Sequence, residues 1–285
     1  MTSSRSSRIA LSQALMTALS ILVLKRMLGA GEYGNFSIHY NGLLIFTAAS
    51  SGWVTQSLTR FFPVATDKRK IASLSIRYST CTQMLFFLPV LLWFGWHENQ
   101  WALALLMCAT LWASGLQFTY MALAQSSFLS RKTILSETIR TVSYLLLAVL
   151  LVKYTGMQPV HALFISVLIS LLSSIFYLRI KVASTMNEGH GADEHLTSSR
   201  QTMKQFMTYG LPLSFWFVFA YLLSYLDKLM ILAHFGKDVQ GNYQALFDLI
   251  SRGFTMLISP ILITLMPLLS VAYQENRKKE IKALL

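Results

Sequence analysis

Charged side chains inside long apolar stretches are the residues of this sequence with the clearest capacity for chemistry. Asp227 and Lys228 are adjacent in one such stretch, and Asp248 and Arg252 lie one helical turn apart in the next. A charge inside a bilayer is costly, so a charge that is retained there is a candidate for contact with a substrate or an ion. Neutralisation by neighbouring helices or interfacial water is the alternative for the first pair. A purely structural ion pair is the alternative for the second.

A third pair of charges, Glu137 and Arg140, lies near the predicted inner end of the fifth apolar stretch. A spacing of three residues places both side chains on one helix face. We therefore expect these two residues to pair at the surface.

Small polar residues recur at helical spacing in three of the apolar stretches. Such stripes favour close packing between helices, and the wall of a hydrated cavity is the alternative. The stripes are Gln13, Thr17 and Ser20; Thr47, Ser51, Thr55 and Thr59; and Ser166, Ser170 and Ser173.

Motifs of common enzymes do not occur in the sequence, which has no Gly-x-x-x-x-Gly-Lys-Ser/Thr, His-Glu-x-x-His or Gly-x-Ser-x-Gly pattern. The six histidines are scattered without metal-ligand spacing. His190 and His195 lie among three carboxylates, but the glycine-rich polar context is typical of a solvated linker rather than a metal site. We therefore predict that the protein is not an enzyme and that it has no cofactor and no metal site.

The elements that position these residues follow from composition. Of the 285 residues 54% are hydrophobic and 13% are charged, with a mean hydropathy of +0.50. One soluble core cannot bury that much apolar surface, so the sequence predicts an all-α, polytopic membrane protein. Eight stretches reach the roughly 20 residues that a spanning helix needs. They are 9–28, 36–58, 74–96, 101–124, 134–154, 160–180, 211–235 and 243–272.

The distribution of basic residues predicts the orientation of these helices. The formal net charge of +12 does not indicate nucleic-acid binding, because most of the 24 lysines and arginines fall on one side of the predicted topology. This is the positive-inside pattern, and it predicts that both termini are cytoplasmic. The cations that fall on the outside are Lys25, Arg26, Lys153 and Lys237.

A short pattern occurs twice in the chain, as Gly29 to Gly34-Asn35-Phe36 and as Gly236 to Gly241-Asn242-Tyr243. Recurrent turn chemistry is one explanation, since glycines suit turns that need a positive φ. An internal repeat is the other. On the predicted topology both copies lie outside, each after an inside-to-outside helix, which favours parallel repeats of six helices.

The repeat predicts a division of the chain into parts. Residues 1–180 form a six-helix lobe, 181–205 a cytoplasmic inter-lobe loop, and 206–285 the start of a second lobe with two helices. We expect a full version of the second lobe to contain about four more helices.

Several of these residues together carry a family resemblance. They are Leu28-Gly29, Tyr33-Gly34 and Phe36 after the first stretch, Tyr209-Gly210-Leu211-Pro212 and Asp227-Lys228 in the seventh, and Gly236 with Gly241-Asn242-Tyr243 after it. In these features the sequence resembles the bacterial O-antigen and capsule repeat-unit flippases of the multidrug/oligosaccharidyl-lipid/polysaccharide superfamily. The resemblance implies a two-lobed helical bundle in the bacterial inner membrane. It also implies that the protein moves an undecaprenyl-pyrophosphate-linked oligosaccharide to the outer leaflet by alternating access.

The resemblance also implies roles for particular residues and partners. The cations would attract the pyrophosphate and acidic sugars, and the carboxylates would balance them or carry a coupling cation, H⁺ or Na⁺. The implied partners are the lipid-linked oligosaccharide, the bilayer and the polysaccharide assembly machinery, with no nucleic acid. The pathway residues are Lys228, Arg252, Lys25 and Arg26 as cations and Asp227 and Asp248 as carboxylates.

Three other functions remain open at this point. A cation-coupled multidrug exporter of the same superfamily would favour an anionic, aromatic cavity, so Lys228 and Arg252 argue against it. A polymerase or ligase, which are membrane enzymes of polysaccharide assembly, would resemble proteins with a large loop outside the membrane. The segments of this sequence that are predicted to lie outside are short. A non-catalytic scaffold is the third alternative.

Overall fold

Every regular element in the described part of the chain is a helix. The computed structural model describes residues 3–65, 67–96, 100–187 and 199–274. The prediction of an all-α fold is therefore confirmed for these residues. The helices are α1 (Ser3–Phe61), α2 (Lys68–Val90) with a π-helix (Leu91–Trp96) directly after it, α3 (Trp101–Ser126), α4 (Ser130–Tyr154), α5 (Pro159–Asn187) and α6 (Ser199–Gln274).

Five stretches of the described residues are long and apolar enough to cross a membrane. The longest has 51 residues, more than twice the roughly 20 that span a bilayer. A multi-pass membrane protein is therefore confirmed, while the number of eight spans remains a prediction. The stretches are Lys68–Gly95, Trp101–Ser126, Ser130–Tyr154, Pro159–Ser184 and Gln201–Ser251.

The two longest helices are each interrupted by one glycine. Gly29 has φ 79° and ψ 167°, and Gly236 has φ 81° and ψ 176°. This combination of a positive φ and an extended ψ is adopted almost solely by glycine. The two copies of the sequence repeat therefore share one backbone conformation, as an internal repeat requires. We name the resulting segments α1a (3–28), α1b (30–61), α6a (199–235) and α6b (237–274).

Segment α1b is the central helix of the bundle. It contributes Leu43 to one buried apolar cluster and Leu58 to another, and these clusters lie at different levels along the helix. Helices α3 and α5 pack against both levels, so α1b is enclosed along much of its length. Other large members are Phe94, Leu103, Met107 and Phe164 in the first cluster, and Val54, Leu123, Leu178 and Phe206 in the second.

Two residues of the α1b stripe and two of the α5 stripe lie inside this packing. Thr47 and Ser51 on α1b, and Ser166 and Ser170 on α5, are buried. Each of these hydroxyls donates to a carbonyl of its own helix, at 2.7 to 2.9 Å. A hydroxyl bonded in this way needs no partner on the neighbouring helix and lets the helices approach closely. These contacts favour the packing interpretation of the stripes.

Segment α6a runs antiparallel to α1b. The Ser57 hydroxyl donates to the carbonyl of Phe206 at 2.9 Å, whereas Gly42 lies beside Tyr225. Between these contacts, Gly210 has no room for a Cβ atom against the α1b backbone. Small residues therefore allow close approach between the second helix of the first predicted repeat and the first helix of the second.

Candidate functional site

Lys228 is a buried cation at the contact between α1b and α6. Its residue surface is 2% exposed, and its Nζ donates to Oδ1 of Asn41 at 2.9 Å. The same ammonium lies 5.0 Å from the ring centroid of Phe247 on α6b, within the range of a cation–π interaction. The lysine is thus held by a neutral amide and an aromatic ring from two different segments.

Asp248 lies near this lysine on α6b, and both of its carboxylate oxygens accept hydrogen bonds. The Tyr33 hydroxyl donates to Oδ2 at 2.8 Å, and Nε2 of Gln244 donates to Oδ1 at 2.7 Å. The charges of Asp248 and Lys228 interact electrostatically. We use the name Lys228 cluster for Lys228, Asn41, Asp248, Tyr33 and Gln244.

The break at Gly236 is what assembles the Lys228 cluster. Lys228 lies two helical turns before this glycine, and Phe247 and Asp248 follow it by about three turns. A continuous helix would separate Lys228 and Asp248 by roughly 30 Å along its axis. Because the chain changes direction at Gly236, both residues reach the same part of α1b.

The second glycine of each repeat copy serves a different purpose from the first. A Cβ on Gly34 would lie 3.0 Å from Cα of Gly241 and would collide with Gln240, and a Cβ on Gly241 would collide with the Ala30 carbonyl. Nε2 of Gln240 also donates to Oγ of Ser37 at 3.3 Å. The two copies therefore pack directly on each other.

The structure places the six predicted pathway residues differently. It brings Lys228 and Asp248 into one cluster, as described above. Asp227 is exposed although it is adjacent to Lys228, because neighbouring residues on a helix point in different directions. Lys25 is half-buried and Arg26 is exposed just before the Gly29 break, and the side chain of Arg252 lies outside the described part of the chain. The pathway role of all six remains a prediction.

Asn41, Tyr33 and Gln244 are members of the cluster that the sequence interpretation missed. Asn41 and Asp248 follow the first glycine of their repeat copies by the same number of residues. Superposing the two copies would therefore have drawn attention to Asn41 as the counterpart of a charged residue. Tyr33 and Gln244 offer no such signal, because the equivalent positions in the other copy hold the uncharged residues Gln240 and Ser37.

The Glu137–Arg140 pair forms as predicted, but it is only partly exposed. Nη2 of Arg140 lies 2.6 Å from Oε2 of Glu137, with side-chain exposures of 22% and 16%. Nε2 of Gln117 on α3 donates to Oε1 of Glu137 at 2.6 Å. The pair on α4 is therefore joined to α3 by a hydrogen bond between side chains.

Metal ligands do not cluster in the part of the chain that the structure describes. Groups of three or more His, Cys, Asp or Glu side chains able to hold an ion are not found there. His190 and His195, with their neighbouring carboxylates, lie outside the described residues.

A buried charged cluster inside a multi-pass helical bundle, here between two predicted repeats, is an arrangement typical of membrane transporters. Two solved transporters share the fold. A mutant of the Vibrio cholerae MATE transporter VcmN matches with a TM-score of 0.68 and 15% identity, over 100% of this chain and 70% of that one. A MATE structure in complex with Br-NRF matches with a TM-score of 0.61 and 14% identity, over 98% and 72%.

The family model described as polysaccharide biosynthesis protein matches residues 6–272, and the chain belongs to this family. The resemblance to polysaccharide flippases is therefore confirmed at the level of the family, and the protein is a membrane transporter of this superfamily. A search among curated protein sequences gave no match.

Proposed function

We propose that this protein transports undecaprenyl-pyrophosphate-linked oligosaccharide units across the bacterial inner membrane for surface polysaccharide synthesis. Membership of the polysaccharide biosynthesis family supports a substrate of this class. The observation that carries the proposal is the burial of the Lys228 ammonium against a neutral partner, Asn41, within a transporter fold.

The neutral partner matters because it leaves the lysine available to an anion. A carboxylate bonded directly to Lys228 would compete strongly with a phosphate oxygen, whereas an amide oxygen competes weakly. A pyrophosphate that replaces Asn41 would gain a charge-assisted hydrogen bond in a site shielded from water. Asp248, held by Tyr33 and Gln244, would balance the lysine when the substrate is absent.

Cation-coupled export of organic cations is the competing function, and the MATE neighbours share only their fold with this chain at 14% to 15% identity. A buried ammonium opposes an organic cation and attracts an anion. Lys228 therefore favours the anionic, lipid-linked substrate over the cationic drug.

Complementation tests the proposal. The gene that encodes this chain is expressed in a strain that lacks its repeat-unit exporter, and surface polysaccharide and intracellular lipid-linked oligosaccharide are both measured. We expect polysaccharide to be restored and the lipid-linked intermediate to fall. Restored resistance to cationic dyes without restored polysaccharide, at equal protein level in the membrane, would overturn the proposal in favour of the exporter.

A further inference from the structure

A basic pocket lies far from the Lys228 cluster, where the end of α1b meets the start of α6a. Its volume is about 550 Å³. Arg60 lies about 28 Å along α1b from Asn41, so the pocket is at the opposite end of the bundle from the repeat glycines. The charge distribution predicts that this end is cytoplasmic. The lining includes two cations, two amides and two aromatic rings, namely Arg60, Lys204, Gln201, Gln205, Phe61 and Tyr209.

The guanidinium of Arg60 is oriented before any ligand binds. Its Cζ lies 4.3 Å from the ring centroid of Tyr209 and 5.5 Å from that of Phe61. Phe61 in turn stacks on the buried Phe206, with 5.9 Å between the ring centroids. The backbone carbonyl of Phe206 accepts the hydrogen bond from Ser57. The two rings that contact Arg60 are therefore held in place by the close packing of α1b against α6a. An arginine stacked on aromatic rings has its planar guanidinium held in a fixed orientation, which reduces the entropy that is lost when its N–H groups bond.

The α6a side of the pocket presents one polar face. Gln201, Lys204, Gln205 and Thr208 are exposed and lie at spacings of three and four residues, so they share one side of the helix. Helix α6 begins at Ser199, and the first turn of a helix, which here holds Gln201, carries a partial positive charge. None of the seven lining residues is acidic. The lining therefore favours a compact anion.

Apolar side chains next to this polar face indicate that the anion belongs to a lipid. Met203 and Met207 are 38% and 39% exposed on the neighbouring side of α6a, and Val64 just after α1b is 37% exposed. Flexible methionines suit contact with irregular acyl chains. A cationic pocket beside exposed apolar residues, at a bundle end rich in lysine and arginine, matches the junction between headgroups and acyl chains.

We propose that this pocket binds the phosphate or pyrophosphate headgroup of a lipid in the inner leaflet. Arg60 and Lys204 pair with the phosphate oxygens, Gln201 and Gln205 donate from their amides, and the acyl chains extend past Met203 and Met207. The site is distinct from the Lys228 cluster and does not depend on which substrate the protein transports. A phospholipid of the bilayer and a polyprenyl pyrophosphate share the chemistry that the pocket recognises.

Lipid binding to the purified full chain in detergent, measured by native mass spectrometry, tests this assignment. The probes are phosphatidylglycerol, undecaprenyl pyrophosphate, phosphatidylcholine and inorganic pyrophosphate. We expect both anionic lipids to bind, and Arg60→Gln and Lys204→Gln each to weaken binding about tenfold, as the loss of one charge-assisted hydrogen bond implies. Lys153→Gln removes an exposed cation from the end of α4 and is the matched control, with binding unchanged. Because Lys204 is exposed, its variant keeps the test valid even if the Arg60 variant does not fold.

The outcomes show which lipid supplies the headgroup and whether the proposed site exists. Equal binding of both anionic lipids indicates a general headgroup site. Binding of undecaprenyl pyrophosphate alone indicates a loading site for the transported lipid. Either result supports lipid binding at the basic pocket. Unchanged binding in both pocket variants would overturn it. Phosphatidylcholine binding as tight as phosphatidylglycerol, or displacement of lipid by equimolar inorganic pyrophosphate, would also overturn it. Because binding is measured without transport, failure here leaves the transport proposal untouched.

Discussion

At the scale of single residues, the central feature is a buried lysine whose hydrogen-bond partner is an amide. Lys228 is 2% exposed and donates to Asn41, while the nearby carboxylate of Asp248 is occupied by Tyr33 and Gln244. Burying a charge without a directly bonded counter-charge costs stability. A lysine kept at such a cost suggests a role other than stability, and binding of an anion by the ammonium N–H groups that do not donate to Asn41 is the role proposed above.

Replacement of this lysine separates function from folding. Lys228→Met keeps the side-chain length and removes the charge, so we expect transport to fall about tenfold or more through loss of a charge-assisted hydrogen bond to the substrate. The melting temperature is expected to stay unchanged or rise, because the desolvation cost of the ammonium is removed. Both are measured on one preparation, by polysaccharide export and by thermal unfolding. Lys153→Met, at an exposed position, serves as control. Full export by the Lys228 variant at equal expression would contradict the assigned role.

The neutrality of Asn41 is open to a separate test. Asn41→Asp is nearly isosteric and would place a carboxylate on the Lys228 ammonium, at the 2.9 Å contact now made by the amide. We expect export to fall severalfold while the protein stays folded, because the new ion pair competes with the anionic substrate. The conservative Asn41→Gln variant, which keeps a neutral acceptor, is expected to retain more activity. If the aspartate variant exports as well as the native protein, the competition argument is wrong.

At the scale of helices, the repeated glycines act in two different ways. Gly236 has open space around it but a φ of 81°, whereas Gly241 lacks room for a Cβ beside Ala30. The first glycine of a copy is required by backbone conformation, and the second is required by packing between the copies.

Alanine substitutions at Gly236 and Gly241 test the two requirements, each against the same control. Gly241→Ala is expected to destabilise the protein by about 1–3 kcal/mol through overpacking, and Gly236→Ala by about 1–3 kcal/mol through backbone strain. Gly253→Ala, in the same segment with nothing within 4 Å of the added Cβ, is the control and is expected to be neutral or slightly stabilising. Thermal unfolding in one detergent provides the comparison. A Gly241 variant as stable as the Gly253 variant would argue against direct packing of the repeats.

At the scale of the whole molecule, α1b and α6a belong to different predicted repeats yet pack along one another. Alternating access in a transporter built from two repeats requires these units to move relative to each other. Such movement would therefore change the long contact between α1b and α6a. This contact extends from the Ser57–Phe206 hydrogen bond to the Asn41–Lys228 hydrogen bond.

A reversible cross-link tests that movement. A Cβ on Gly52 would lie 3.4 Å from Cβ of Ser214, close to the separation found in disulfides. We expect Gly52→Cys combined with Ser214→Cys to form a disulfide on oxidation, to lose export, and to regain it on reduction. Each single cysteine variant is the control, in a background where Cys81 and Cys108 are replaced by serine. Undiminished export in the fully cross-linked protein would mean that α1b and α6a move as one unit.

Features of the fold that depend on local sequence or on contact with the bilayer were predictable. Hydropathy and the distribution of lysine and arginine report directly on the bilayer, so the all-α membrane class could be predicted from composition and segment length. The Gly29 and Gly236 breaks were also predictable, because a repeated glycine followed by the same Gly-Asn-aromatic sequence requires only local backbone chemistry. The family resemblance used this pattern together with Tyr209-Gly210-Leu211-Pro212 and Asp227-Lys228, and the family match over residues 6–272 confirms it.

Side-chain neighbours across helices were not predictable in this way. Asp227 and Lys228 are equivalent candidates by sequence, yet only the lysine is buried, since helix rotation decides which of two adjacent residues faces inwards. Asn41, Tyr33 and the aromatic support of Arg60 depend on which helices meet, which in turn depends on the changes of direction at the two glycines. The sequence by itself thus determined the membrane class, the repeated glycine pattern and the breaks at Gly29 and Gly236, because these arise from local backbone chemistry and contact with the bilayer. The tertiary structure alone decided the members of the Lys228 cluster and the lining of the basic pocket, because helices must pack before residues distant in the chain become neighbours.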